Sequence, residues 1–243
     1  MKLNTLLISI LSIVAVSSAV ILNCSAVIDT HSVLSELYNA TGGPTSWARK
    51  WNLTDPNYCD YEGINCASRY IDLPRNNMIG EIPDSFWCLD NFKAFNFTHN
   101  PSLRGNVSKI ETLKYIQYLD LSWTHIYGEL PSFVGSKLNE SLKHLNLSYS
   151  CINGTIPPSM SQLSFLASIR MPYTALEGVI PVSFYALPAK ELMLQCTNIN
   201  ATSFNLPLFR QVKGIPEVAA PDIHNSQCPE EDLAPFWCGV PDS

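Results

Sequence analysis

Between residues 71 and 201 one short pattern returns six times, and this recurrence constrains the fold more than any other feature of the chain. Its clearest copy is LKHLNLSYSCINGTIP, Leu142 to Pro157. It reads L-x-x-L-x-L-x-x-S-x-I-x-G-x-I-P. Leu145 and Leu147 alternate as one face of a short strand. Ile152 and Ile156 turn inward after it, Gly154 bends the backbone between them, and Pro157 starts the return arm. Alone, this unit cannot bury its apolar side. Stacked copies share one core, which is why such units come in arrays.

The other copies align on the glycine. They are Ile71-x-Leu73 with Gly80, Phe95-x-Phe97 with Gly105, Leu119-x-Leu121 with Gly128, and Ile169-x-Met171 with Gly178. A weaker sixth copy, Leu192-x-Leu194, has Ala201 in the glycine column. The steps between columns are 25, 23, 26, 24 and 23 residues, a period that fits leucine-rich repeats. The G-x-I-P tail resembles the plant-type class of that family. The fold expected is an α/β solenoid: a curved, right-handed superhelix with a concave parallel β-sheet, one short strand per repeat, an irregular or 3-10 convex side, and a cap at each end.

Four segments follow. Residues 1–19 read as a secretory signal, with Lys2, the apolar stretch Leu6 to Val16, and Ser17-Ser18-Ala19 as small residues suited to cleavage. Apolar character continues through Leu22, so a retained anchor is the alternative. No second long apolar run follows, and no stable membrane span is expected after cleavage. Residues 20–69 form the N-terminal cap. Asp29 or Thr30 starts a helix burying Val33, Leu34 and Leu37, which Gly42-Gly43 ends. The stretch CDYEGINC resembles the C-x-W-x-G-V-x-C motif of plant-type caps, with Tyr61 in place of Trp. Trp47 and Trp51 are expected to pack there. Residues 70–201 hold the repeats. Residues 202–243 lose the period, are rich in proline, and read as an irregular C-terminal cap.

The cap resemblance implies a Cys59–Cys66 disulfide. Local spacing offers Cys228 with Cys238. Cys151 and Cys196 stand two repeats apart, roughly 10 Å at about 4.8 Å per strand, too far to bridge each other. They read as buried free thiols, or Cys196 joins the C-terminal cap. The pairing of Cys24 and Cys88 stays open. No C-x-x-C occurs, and neither a metal nor any other cofactor is expected. The sequon N-x-S/T begins at Asn39, Asn52, Asn96, Asn106, Asn139, Asn146, Asn153 and Asn200, each able to accept a glycan in a secretory pathway.

Charge excludes some partners. The net charge of −6, without a basic run, argues against nucleic acid and anionic membranes. The x positions of each strand face the concave surface. There Trp123, Tyr149 and Tyr173 follow one another in a single column, with Tyr118, Asp120, His144 and Arg170 nearby. These seven are the candidate ligand-binding residues, because rigid aromatics dominate binding hot spots. The same rings can instead stack on one another and brace the sheet. Asp120, Ser122 and His144 superficially form a triad, but nothing supplies an oxyanion hole, and an enzyme is not expected. The leading expectation is a secreted, extracellular recognition module for a protein or polysaccharide. The resemblance implies an enzyme-inhibitor-like role, as in polygalacturonase-inhibiting proteins, or a receptor-like ectodomain. The alternative is a glycosylated wall, matrix or filament subunit that associates with itself.

Overall fold

A computed structural model describes Cys24, residues 29–213 and Cys238. The expected signal, and most of the expected C-terminal cap, lie outside these residues.

The repeats stack as a solenoid with two parallel sheets. The concave sheet runs Ile64–Asn65, Tyr70–Asp72, Ala94–Asn96, Tyr118–Asp120, His144–Asn146, Ser168–Arg170 and Glu191–Met193. Its strands are parallel and in register, so that Leu119 pairs with Leu145 and Leu145 with Ile169. Only the first strand is antiparallel, folded back from the cap against Tyr70–Asp72. The period anticipates this sheet but not its companion. Each repeat contributes a second strand: Gly80–Glu81, Asn100–Asn106, Thr124–Glu129, Cys151–Thr155, Ala175–Val179 and Asn198–Asn200, again paired in order. Single turns of 3-10 helix, such as Pro158–Gln162, close the return arms.

The second strand arises from a bend that follows the concave strand. Thr124, Ser150, Thr174 and Thr197 are all buried there. Their hydroxyls donate to the carbonyls of Leu121, Leu147, Met171 and Leu194, three residues earlier. Asn100 does this work in an earlier repeat, donating to Leu73 and Phe97 carbonyls while its Oδ1 accepts from the Asn76 and Met78 amides. A buried carbonyl left without a donor costs about 1–3 kcal/mol. This column therefore makes the bend tolerable, and the chain leaves it extended and able to pair again. Between the sheets and the 3-10 turns lies one continuous apolar core, including Leu145, Leu147, Ile152 and Ile156, none more than 2% exposed.

The N-terminal end is closed by α1 (Thr30–Ala40), which Asp29 caps by accepting from the His31 and Ser32 amides. Val33, Leu34 and Leu37 are buried as the pattern requires. Trp47 and Trp51 pack edge to face at 4.9 Å, and Trp51 stacks on Tyr61 at 5.1 Å. Tyr61, where the cap motif has Trp, keeps the polar tip in use: its hydroxyl lies 2.9 Å from His31 Nε2 and donates to the Asp55 carbonyl. Past residue 201, the described part of the expected irregular cap includes a regular helix, α2 (Leu206–Lys213).

Cys59 is bonded to Cys66, and Cys24 to Cys88. The local pairing of Cys238 is corrected: Cys238 is bonded to Cys151, 87 residues earlier. Nor is Cys151 or Cys196 a free thiol, since both are disulfide-bonded. The expectation failed because Cys151 belongs to the second strand. There it is bonded to a residue 87 positions away, whereas spacing along the sequence registers only local neighbours.

Candidate functional site

The middle residue of each concave strand builds a ladder across the repeats: Asp72, Asn96, Asp120, Asn146, Arg170 and Met193. Adjacent carboxylates at strand spacing would repel. Alternation with Asn supplies a donor between them. Asn96 Nδ2 donates to Asp72 Oδ1 at 2.7 Å, and Asn146 Nδ2 to Asp120 Oδ2 at 3.0 Å. Asp120 also accepts from the Ser122 amide and hydroxyl, at 3.0 and 2.6 Å, and from the Tyr118 hydroxyl at 3.2 Å. Four donors on one carboxylate explain how it tolerates being 7% exposed. Burial, then the Asp120 charge, pushes the Tyr118 phenol above its ordinary range.

Hydrogen bonds extend from Asp120 toward the N-terminal repeats. The Ser122 hydroxyl proton is committed to Asp120. Thr98 Oγ1, 2.8 Å from Ser122 Oγ, must then be the donor between them. Thr98 Oγ1 in turn accepts from His99 Nδ1 at 3.0 Å, and His99 Nε2 accepts from Arg75 at 3.4 Å. Toward the C-terminal repeats, Glu191 accepts from Ser168 at 2.6 Å and Arg170 at 2.8 Å. Burial raises the Glu191 carboxyl, but these two donors outweigh it and hold the group below its ordinary value.

The aromatic column does not stand on the strands themselves. His99, Trp123, Tyr149 and Tyr173 fall just past them, at the bend, with φ of 59, 55, 52 and 55°. This left-handed conformation is unfavourable for a residue with a Cβ. It recurs because the amide at each position donates to the next repeat: Trp123 to the Ser148 carbonyl, Tyr149 to Pro172, Tyr173 to Gln195. The bend sets the four rings nearly parallel. Centroids lie 5.4 Å apart for His99–Trp123, 3.9 Å for Trp123–Tyr149 and 4.2 Å for Tyr149–Tyr173, with interplanar angles of 14, 14 and 13°. The inner rings, Trp123 and Tyr149, are sandwiched on both faces, so there a ligand meets ring edges rather than π faces.

Stack and ladder border a groove of about 570 Å³, also lined by Thr98, Ser122, Ser148, Arg170, Met193 and Gln195. Among the seven candidates, Asp120, Trp123, Tyr149, Arg170 and Tyr173 line it. Tyr118 and His144 stand together outside this lining, rings 5.9 Å apart. The superficial triad is not assembled: Ser122 is bonded to Asp120 and Thr98, not to His144. The sequence reading missed the column directly after the second strand leucine, Thr98, Ser122, Ser148, Pro172 and Gln195, which forms much of the floor. Its signal was visible as small hydroxyl residues in three consecutive repeats. Among the described residues, no group of three His, Cys, Asp or Glu side chains is placed to hold a metal ion.

A family model described as Leucine Rich Repeat matches residues 141–163, the repeat around Leu145. MDIS1-interacting receptor like kinase 1 of Arabidopsis thaliana is 31% identical over 137 residues, covering 54% of this chain and 13% of that one. The repeats are thus similar to those of plant receptor-like leucine-rich repeat proteins. The chain spans between a tenth and a fifth of the length of the curated relatives it matches. Solved leucine-rich repeat ectodomains show the same solenoid. The Arabidopsis receptor kinase HAESA, solved with the peptide hormone IDA and the co-receptor SERK1, gives a TM-score of 0.58 at 23% identity, covering 70% of this chain and 30% of that one. The BIR2 ectodomain from Arabidopsis thaliana gives 0.60 at 21%, covering 74% and 98%. No helix among the described residues is long and apolar enough to cross a membrane.

Proposed function

We propose that this chain is an extracellular, non-enzymatic recognition module whose concave groove takes an extended peptide or protein segment. The observation that carries this reading is the groove's two-sided chemistry. One wall is a continuous row of aromatic edges contributed by successive repeats. The floor is a row of hydroxyl and carboxamide groups from the same repeats, interrupted at Pro172. An extended backbone offers alternating donors and acceptors to such a floor and side chains to such a wall. The sandwiching of Trp123 and Tyr149 weakens the sugar-stacking alternative at those two rings, because a pyranose packs on an open face. Disulfides at Cys24–Cys88, Cys59–Cys66 and Cys151–Cys238 support an oxidising, extracellular setting. HAESA, of the same fold, is named with a peptide hormone bound.

The test is selection of displayed random peptides on the immobilised full chain, followed by affinity measurement on Trp123→Ala and Tyr173→Ala, with Glu177→Ala on the second sheet as control. Groove variants are expected to weaken a selected peptide by at least thirtyfold, about 2 kcal/mol, the scale of a hot spot. Failure to select any peptide, or selected peptides indifferent to both groove variants, would refute the reading.

A further inference from the structure

Eight sequons were legible in the sequence, and the fold sorts six of them by what each carboxamide does. We propose that N-linked sugars occupy the flank of the solenoid, at Asn39, Asn52, Asn153 and Asn200, while Asn96 and Asn146 in the concave ladder stay bare.

All four flank side chains are exposed. Asn39 lies on α1. Asn52 and Asn200 share a local geometry: Oδ1 accepts from the amide and hydroxyl of the sequon threonine, at 3.3 and 2.7 Å for Thr54 and at 3.0 and 2.6 Å for Thr202. Asn153 and Asn200 immediately precede the glycine column, at Gly154 and Ala201, on strands of the second sheet. They stand two strands apart and four residues out of register, Asn153 opposite Ala175 and Asn200 opposite Val179, which leaves room for a sugar on each.

Asn146 shares that Oδ1 geometry with its sequon serine, at 3.1 and 2.6 Å, so what separates the ladder positions is Nδ2. N-glycosylation forms a bond from Nδ2 to the sugar C1. One Nδ2 proton and the lipid pyrophosphate of the oligosaccharide donor are released. At Asn96 and Asn146, Nδ2 already donates to Asp72 and Asp120, and Oδ1 accepts from the Thr98 and Ser148 amides. Both side chains are only half-exposed, and each is flanked by rungs on neighbouring strands about 4.8 Å away. A sugar there would displace the rung and stand in the groove. The sugar's bulk forces Asn96 away from Asp72, or Asn146 away from the buried Asp120, and chains so modified do not reach the folded, secreted population. The consequence is a division of surface: a sugar-coated cap and second-sheet flank, and an open concave face.

The experiment uses the full chain secreted from plant cells. Enzymatic deglycosylation in heavy-oxygen water marks each occupied Asn for peptide mass spectrometry. Label is expected at Asn39, Asn52, Asn153 and Asn200, and none at Asn96 and Asn146. Thr155→Ala and Thr202→Ala, at exposed positions, should each lose the mass of one glycan. Label on Asn96 or Asn146, or a bare side chain at any of the four flank positions, overturns the proposal. The peptide selection above is read independently of this result.

Discussion

The ring of Tyr149 lies 3.9 Å from that of Trp123 at an interplanar angle of 14°, although both residues hold a left-handed backbone that side chains ordinarily avoid. Strain and stacking come from the same bend. The inter-repeat hydrogen bond that imposes a positive φ also sets successive rings one strand apart, close to the thickness of stacked aromatics.

This gives a prediction with an internal control. Trp123→Ala removes two stacking partners but keeps a Cβ at φ 55°, whereas Trp123→Gly removes the same ring and relieves the backbone. Both variants should lose stability in urea unfolding, with the glycine variant about 1 kcal/mol more stable than the alanine variant. Equal stabilities would show that the bend carries no strain.

The ladder predicts coupling across strands. Asp120→Asn places two carboxamides opposite each other, and Asn146→Asp places two carboxylates there. Each should cost about 1.5–3 kcal/mol. The double variant Asp120→Asn, Asn146→Asp restores donor opposite acceptor with the order reversed and should recover at least half of the summed loss. Simple additivity of the two losses would mean that the Asn146–Asp120 hydrogen bond is not what holds the rungs together.

Peptide mapping without reduction should recover Cys151 joined to Cys238, and Cys151→Ser should lower stability by about 2–5 kcal/mol. A peptide joining Cys228 to Cys238 would contradict the long-range staple.

Two titrations shape the pH profile from opposite sides. Glu191 has a depressed folded pKa, so its contribution is present above the ordinary carboxylate pKa and lost as pH falls through the folded value. Tyr118 has a raised one, so its contribution is present below the ordinary phenol pKa and lost as pH rises through the folded value. Glu191→Gln should flatten the acid limb of stability against pH, and Tyr118→Phe the alkaline limb. If each variant's profile runs parallel to that of the parent chain, neither group titrates in the way its contacts imply.

The repeat, the inward column of leucines and the α1 cap were all readable from the sequence, because each depends on neighbours at fixed short spacing. Leu145 faces the core for the same reason that any alternate strand residue does. The identity of the concave column was likewise readable by counting from one glycine to the next. Three matters were decided only by the tertiary structure. The second sheet depends on hydroxyls such as Thr124 capping a buried carbonyl, a polar contact that hydropathy does not register. The Cys151–Cys238 bond depends on where the chain returns after 87 residues, which no local spacing encodes. Above all, the sequence placed Trp123, Tyr149 and Tyr173 in one column but left open whether their faces met a ligand or one another. Stacking of successive repeats at one strand's separation closes both faces of Trp123 and Tyr149 and one face of Tyr173, and leaves the edges to the groove.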